Sequence, residues 1–296
     1  MSSPAARKTR TKKKRTGRAW FFTPALVYFG LFLLVPILSI GVVAFTNWSG
    51  FSLSQARWNG LVNFRSLLND HEFGASLVRT LIFVVFTTVG LNILGLALAL
   101  IVDSRVRGHE FLRVAALVPL GVSPVIAGVI WQLLLGPLGL FDTVLHGLGM
   151  AQPFNFLGQQ YAFPSILGVS LWQYVGFDML LYYAGLQTLP ADRVEAARVD
   201  GASSGPLIRH IVWPYLRPIT GVAVALNLIG GWKVFDIVYV LTGGGPSNST
   251  QVLSTYLYEQ AFTFNNLGYA SAIALVIMVL ALVSVFGQRM LAGRHV

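Results

Sequence analysis

Six long stretches of apolar residues, each nearly free of Asp, Glu, Lys and Arg, alternate along the chain with shorter polar segments. A helix that crosses a bilayer needs roughly 20 mostly apolar residues. Trimmed at their turn residues, the stretches predict spans near 21–46, 77–102, 112–135, 161–186, 216–241 and 268–290. Away from the span ends, charge falls only at Asp178 in the fourth span and at Lys233 and Asp236 in the fifth. The first stretch is longer than the apolar region of a cleaved signal peptide, and no small-residue cleavage site follows it, so it reads as an uncleaved anchor. The pattern therefore predicts an all-α, polytopic membrane protein.

Composition agrees. Of 296 residues 55% are hydrophobic and 11% charged, against about 25% charged in an ordinary soluble domain. The formal charge of +10 is unevenly placed: eight of the 21 Lys and Arg residues lie in the first 19 positions, with no acid among them. Basic segments stay on the cytoplasmic side. With the amino terminus inside, 17 basic residues fall inside, including Arg105, Arg107, Arg113, Arg193, Arg198, Arg209, Arg217, Arg289 and Arg294, and only Arg57, Arg65 and Arg79 fall outside. Both termini are expected in the cytoplasm. The tail 1–19 reads as a disordered, topogenic segment drawn to anionic lipid headgroups, and 20–296 as one membrane domain. A charge excess confined to one tail does not indicate a nucleic-acid partner.

Several chemistries are missing. There is no cysteine, hence no disulfide, thiolate metal site or thiol nucleophile. There is no G-x-x-x-x-G-K-[ST] loop to cradle phosphates, so no nucleotide cofactor is expected on this chain. The histidines at 71, 109, 146, 210 and 295 are scattered; no metal site and no catalytic grouping declares itself.

The most patterned polar segment lies between the fourth and fifth spans, at 187–217. Asp192 is placed as an N-cap with Glu195 three residues on, Arg198 stands near the other end, and Gly201 can take the left-handed conformation that stops a helix. A second helix can begin at Ser203 or Ser204, tolerate Pro206 in its first turn, and expose Leu207, Ile208, Ile211 and Val212 until Pro214 interrupts it. Two short helices joined at a glycine have apolar residues that need a partner, either the chain's own bundle or another subunit.

Here the residues resemble a family. Glu195-Ala196-Ala197, Asp200-Gly201-Ala202, Ile211, Pro214 and Pro218 are similar to the EAA motif of permease subunits of ATP-binding-cassette importers. Trp213 and Ile208 depart from its common form and stay apolar. A second run, Lys233 to Pro246 with Gly243-Gly244-Gly245-Pro246, then Thr250, Tyr256, Tyr258, Ala261 and Phe262, is similar to the end of the fifth span in the carbohydrate-uptake group of these permeases. Asn63-Phe64 and Leu267 to Ala272 extend the likeness over the membrane domain.

The resemblance implies a type I importer permease fold with six spans, forming half of a translocation pathway for a sugar, oligosaccharide or glycerol phosphoester. It implies a homologous second permease, two ATPase subunits that hold ATP and Mg, and an extracytoplasmic solute-binding protein. Glu195, Ala196, Ala197, Asp200, Gly201, Ala202, Ile211 and Pro214 would dock the ATPase, and Gly243, Gly244, Gly245 and Pro246 would meet the binding protein.

Candidates for the substrate pathway come from the intramembrane polar residues, which are costly in lipid and usually face protein or a water-filled cavity. Lys233 and Asp236, three apart on a helix, would share a face, either as a structural pair or lining the cavity. Trp172, Gln173 and Tyr174 with Asp178 form a polar and aromatic stripe; Trp131, Gln132 and Asn227 are similar in kind. Such residues suit sugar rings, but Trp and Tyr near span ends also serve as interfacial anchors. An ion-coupled carrier using Asp178 and Asp236 is the alternative reading.

Overall fold

The computed structural model describes residues 22–50, 52, 56–104, 106–149 and 154–292. The basic tail 1–19, together with Arg105 and Arg294, lies outside the described residues. Helices joined by turns and loops make up the described residues, and the only β pairing among them is one isolated antiparallel bridge, Thr46 to Trp58.

The first span is α1 (Thr23–Phe29) and α2 (Val35–Val43), joined without a break by a π turn, Gly30–Leu34. It buries none of its residues and meets the remainder through α2 against the last helix, α14 (Leu267–Ala292). A short outer helix, α3 (Val62–Asn69), leads to α4 (His71–Asp103). Asn63 Nδ2 donates to the Ala44 and Thr46 carbonyls at 2.8 and 2.9 Å, so one buried amide closes the open end of the first span.

The expected third span is not one helix. It divides into α5 (His109–Leu117), a 3₁₀ turn (Val118–Gly121) and α6 (Pro124–Leu135), followed by α7 (Leu140–Gly147). Pro124 has no N–H and drives the preceding Ser123 into an extended conformation (ψ 137°). The fifth span is also interrupted. Helix runs from α10 (Ser204–Leu207) through a π turn (Ile208–Val212) into α11 (Trp213–Trp232), breaks at residues 233–235, and resumes as α12 (Asp236–Thr242). Pro214 does not interrupt the helix, as the sequence suggests it would. The wider i→i+5 bonding of the π turn, seen in Trp213 N–H to Ile208 O, absorbs the missing donor one residue later.

Five helical runs are long and apolar enough to cross a membrane: Thr23–Val43, His71–Asp103, Pro124–Gly147, Ser204–Trp232 and Leu267–Met290. The 26-residue α8 (Ala162–Gln187) matches them in length but is more polar. It lies in the middle, against α4 along its length and against α11, with Ile166, Gln173, Asp178 and Tyr182 all buried. A helix shielded by its neighbours does not need a lipid-facing apolar surface. Close packing of α4 on α8 depends on a small residue. A Cβ on Gly95 would stand 2.5 Å from the Asp178 Cβ and 2.9 Å from its carbonyl carbon, as expected where helices pack without a hydrophobic drive between them.

Candidate functional site

At one end of the bundle two short helices project. The first, α9 (Ala191–Val199), buries no residue, and Val199 is 86% exposed. Its N-cap is Pro190, and Asp192 sits in the first turn without a side-chain capping bond, which corrects the expected capping box: the helix already starts at the proline, two residues earlier. Asp192 still lies at the positive end of the helix. The other end is a Schellman closure. Ala202 N–H reaches the Ala197 carbonyl (2.9 Å), Gly201 N–H reaches that of Arg198 (3.0 Å), and Gly201 has φ +81°. Any side chain at 201 is strained in that conformation. The chain then turns into α10.

Between α9 and the π turn that leads into α11 lies a cleft of about 950 Å³, walled on one side by Arg193, Ala196, Ala197 and Asp200 and on the other by Ile211 and Pro214. Thus five of the motif residues, Ala196, Ala197, Asp200, Ile211 and Pro214, face one another. Glu195, Gly201 and Ala202 lie outside the cleft, with Glu195 exposed on α9. The Tyr215 hydroxyl donates to the Thr188 carbonyl at 2.6 Å and ties the start of α11 to the end of α8.

A second concavity, of about 510 Å³, lies within the bundle between α4, α8, α11 and the break at 233–235. That is within the usual size of a small-molecule pocket. Tyr174, Asp178, Asn227, Lys233 and Asp236 all line it. Asp178 is 1% exposed; Asn227 Nδ2 donates to its Oδ1 at 2.8 Å, and its buried Oδ2 meets no donor from the protein. A buried carboxylate oxygen without a donor is costly. Lys233 ends α11 and Asp236 begins α12, so the helix that would have aligned them is broken. Both are exposed, and no ion pair joins them among the described residues.

Trp131, Gln132, Trp172 and Gln173 do not line this cavity. Successive helical residues turn by about 100°, so Trp172, Gln173 and Tyr174 cannot share a face; only Tyr174, four residues before Asp178, lies on its side. Gln173 instead donates from Nε2 to the Pro119 and Val122 carbonyls at 2.7 and 2.9 Å, satisfying acceptors freed where the third span breaks. Trp131 packs edge-on to Trp172 (5.3 Å) and stacks on Phe141 (5.9 Å). Gln132 is exposed. Sequence reasoning missed Phe83, Thr87 and Leu91 on α4 and Phe235 at the break. The first three repeat every four residues, but inside an unbroken apolar run that spacing carries no contrast.

The glycine run at the far end is a hydrogen-bonded turn. Gly243 and Gly244 have positive φ, the Thr250 amide and hydroxyl reach the Gly244 and Gly245 carbonyls at 3.1 and 2.9 Å, and the Thr242 and Thr250 hydroxyls meet at 2.7 Å. Gln251 Oε1 fills the space a Gly244 side chain would need.

Nearby, Asp70 caps α4 by accepting from Glu72 and Phe73 N–H (2.9 and 3.2 Å). It also accepts hydroxyls from Tyr256, in α13 (Leu253–Tyr258), and from Tyr269 in α14. Partial burial pushes its pKa up, but these four donors together hold it below the ordinary value of 3.8. Burial, then the bond to Asp70, pushes the Tyr256 hydroxyl up. Nothing in the sequence singled out Asp70.

A family model described as "binding-protein-dependent transport system inner membrane component" matches residues 92–295. The trehalose/maltose transport system permease protein MalF of Thermococcus litoralis is 37% identical over 262 residues, covering 88% of each chain. The probable ABC transporter permease protein YurN of Bacillus subtilis is 34% identical over 267 residues, 88% of this chain and 91% of that protein. The arabinooligosaccharides transport system permease protein AraP, also of Bacillus subtilis, is 31% identical over 276 residues, 91% and 86% of the two. A solved bacterial ABC transporter involved in import of the acidic polysaccharide alginate has a chain of the same fold, with a TM-score of 0.82 at 22% identity over 94% of this chain and 96% of that one.

Proposed function

Because the chain belongs to the family of binding-protein-dependent transport system inner membrane components, and is a multi-pass membrane protein, we propose that it forms half of the pathway by which an ATP-driven importer moves a carbohydrate inward. The named relatives handle trehalose and maltose or arabinooligosaccharides, and the cavity has the matching chemistry. Tyr174 and Phe235 offer ring faces, while the exposed Asp236 and Lys233 offer polar groups to sugar hydroxyls.

The observation that carries the reading is one continuous helical run, Ser204–Trp232. It walls the exposed cleft with Ile211 and Pro214 and the inner cavity with Asn227. At the ordinary rise the two sites are roughly 20 Å apart along one rod. A push at the cleft is thereby delivered to the cavity wall. The six spans have both termini in the cytoplasm, and the α9–α10 pair docks there on a separate ATPase subunit, which holds ATP and Mg. A homologous permease supplies the other half of the pathway, and a solute-binding protein delivers substrate at the end where Gly243 to Pro246 lie. Of the four candidates that do not line the cavity, Trp131 and Trp172 act through packing and Gln173 by bracing the broken third span.

The test is Gly201→Asp in the assembled transporter. Transport is expected to fall at least tenfold, with less ATPase co-purifying and the melting temperature of the isolated chain little changed. Normal transport with full ATPase retention overturns the docking reading, and transport by the chain alone under an ion gradient would favour the ion-coupled carrier instead.

A further inference from the structure

One large groove has no part in this scheme. It lies between α11 and α14, on the flank of the bundle, holds about 780 Å³, and has an apolar wall along Val222, Ala225 and Ile229. Arg217 from α11 and Arg289 from the last turn of α14 stand at one end of it, beside Trp213. Among the described residues no carboxylate lines the groove, and neither arginine forms an ion pair. In the same wall Gln288 donates from Nε2 to the Gly221 carbonyl at 3.2 Å, while its buried Oε1 meets no donor from the protein.

The dimensions are those of a lipid. From Arg217 to Ile229 the helix rises roughly 18 Å, and one leaflet's share of the hydrocarbon is roughly 15 Å. Two guanidinium groups from separate helices suit a phosphate, which each can bind through paired N–H donors. Tryptophan and arginine at the rim mark headgroup depth, and basic pockets between spanning helices are suited to acidic headgroups. An apolar helix from a neighbouring subunit would fill the wall but leave both guanidinium groups without a counter-charge. A free phosphate would do the reverse.

We propose that this groove binds one anionic phospholipid, with its phosphate between Arg217 and Arg289 and an acyl chain along Val222 to Ile229. Which leaflet supplies the lipid rests on the orientation proposed above; the site itself does not. Occupancy would link α14 to the helix that walls both the cleft and the cavity, making transport sensitive to membrane composition.

The experiment uses the complete transporter, purified in detergent and titrated with phosphatidylglycerol while bound lipid is counted by native mass spectrometry. Removing both charges with Arg217→Gln and Arg289→Gln should weaken binding about 30-fold, whereas Arg217→Lys with Arg289→Lys should keep most of it. Equal binding by the wild type and the double Gln variant overturns the proposal, as does displacement of the lipid by inorganic phosphate at comparable concentration. A photo-crosslinker at Val224 should capture phospholipid; capture of a polypeptide overturns the proposal in favour of a subunit contact. Lipid counting does not depend on transport, so a failure here is separate from a failure of the docking reading. Impermeant labelling of a cysteine introduced at Met290, in a chain with no other cysteine, reports the leaflet independently.

Discussion

The two ends of the bundle are built on opposite principles. Around Asp70 the chain closes on itself: one carboxylate accepts from two backbone amides and two tyrosine hydroxyls, joining α4, α13 and α14, and Thr80 adds a bond from Leu253 N–H at 2.9 Å. At the other end α9 buries nothing and holds its angle to α10 through backbone bonds at Gly201. An end whose segments are tied to one another by such bonds serves as a frame. An end that leaves helix faces and a 950 Å³ cleft open is completed by something else.

The contrast can be broken most severely at the frame. Asp70→Ala removes four acceptor contacts at once and should destabilise the chain by about 3 kcal/mol, read as a lower melting temperature in detergent. A shift indistinguishable from that of an exposed substitution would show that the outer end is not a frame. A smaller test is pH. The Asp70 pKa is lower in the folded chain than in the unfolded one, so its contribution is complete above the unfolded value, about 3.9, and is lost as pH falls through the folded value. The stability gap between wild type and Asp70→Asn should therefore be constant at neutral pH and shrink under strong acid. A gap that widens on acidification contradicts the assignment. The smallest effect is expected at the open end. Val199→Ser should alter stability by less than about 0.5 kcal/mol while reducing ATPase retention, because the side chain is 86% exposed until a partner covers it. A melting shift as large as that of Asp70→Ala would mean that α9 is packed against its own bundle.

Much of the fold was legible along the chain because hydropathy is a local sum. The apolar stretches mark where helices run, and Gly201 marks where α9 stops, since few other residues tolerate φ +81°. The breaks in the third and fifth spans were not legible. Pro119 and Pro124 signal the first, but whether proline bends, breaks or merely starts a helix depends on who satisfies the freed carbonyls, and here Gln173 does so from α8, more than fifty positions away. The second break, at 233–235, follows Gly230-Gly231, where α11 comes so close to α4 that a Cβ on Gly231 would lie 3.1 Å from Val84 Cγ2.

The site divides in the same way. The motif residues of the exposed pair are adjacent in sequence, so their pattern survives in one dimension. The cavity is assembled from three separate segments of the chain, and its composition depends on which face each helix turns inward. Tyr174 and Asp178 could be paired by their spacing, but no local rule brings Asn227 to within 2.8 Å of Asp178 or places Phe83, Thr87 and Leu91 opposite them. By itself the sequence determined that this chain is a membrane-embedded bundle with one patterned polar loop and a lopsided charge, because helix formation, insertion and orientation depend on composition over a single turn or span. Only the tertiary structure decided which polar residues meet in a cavity, which brace a broken helix, and which arginines share a groove, because those outcomes depend on the rotation and register of one helix against another.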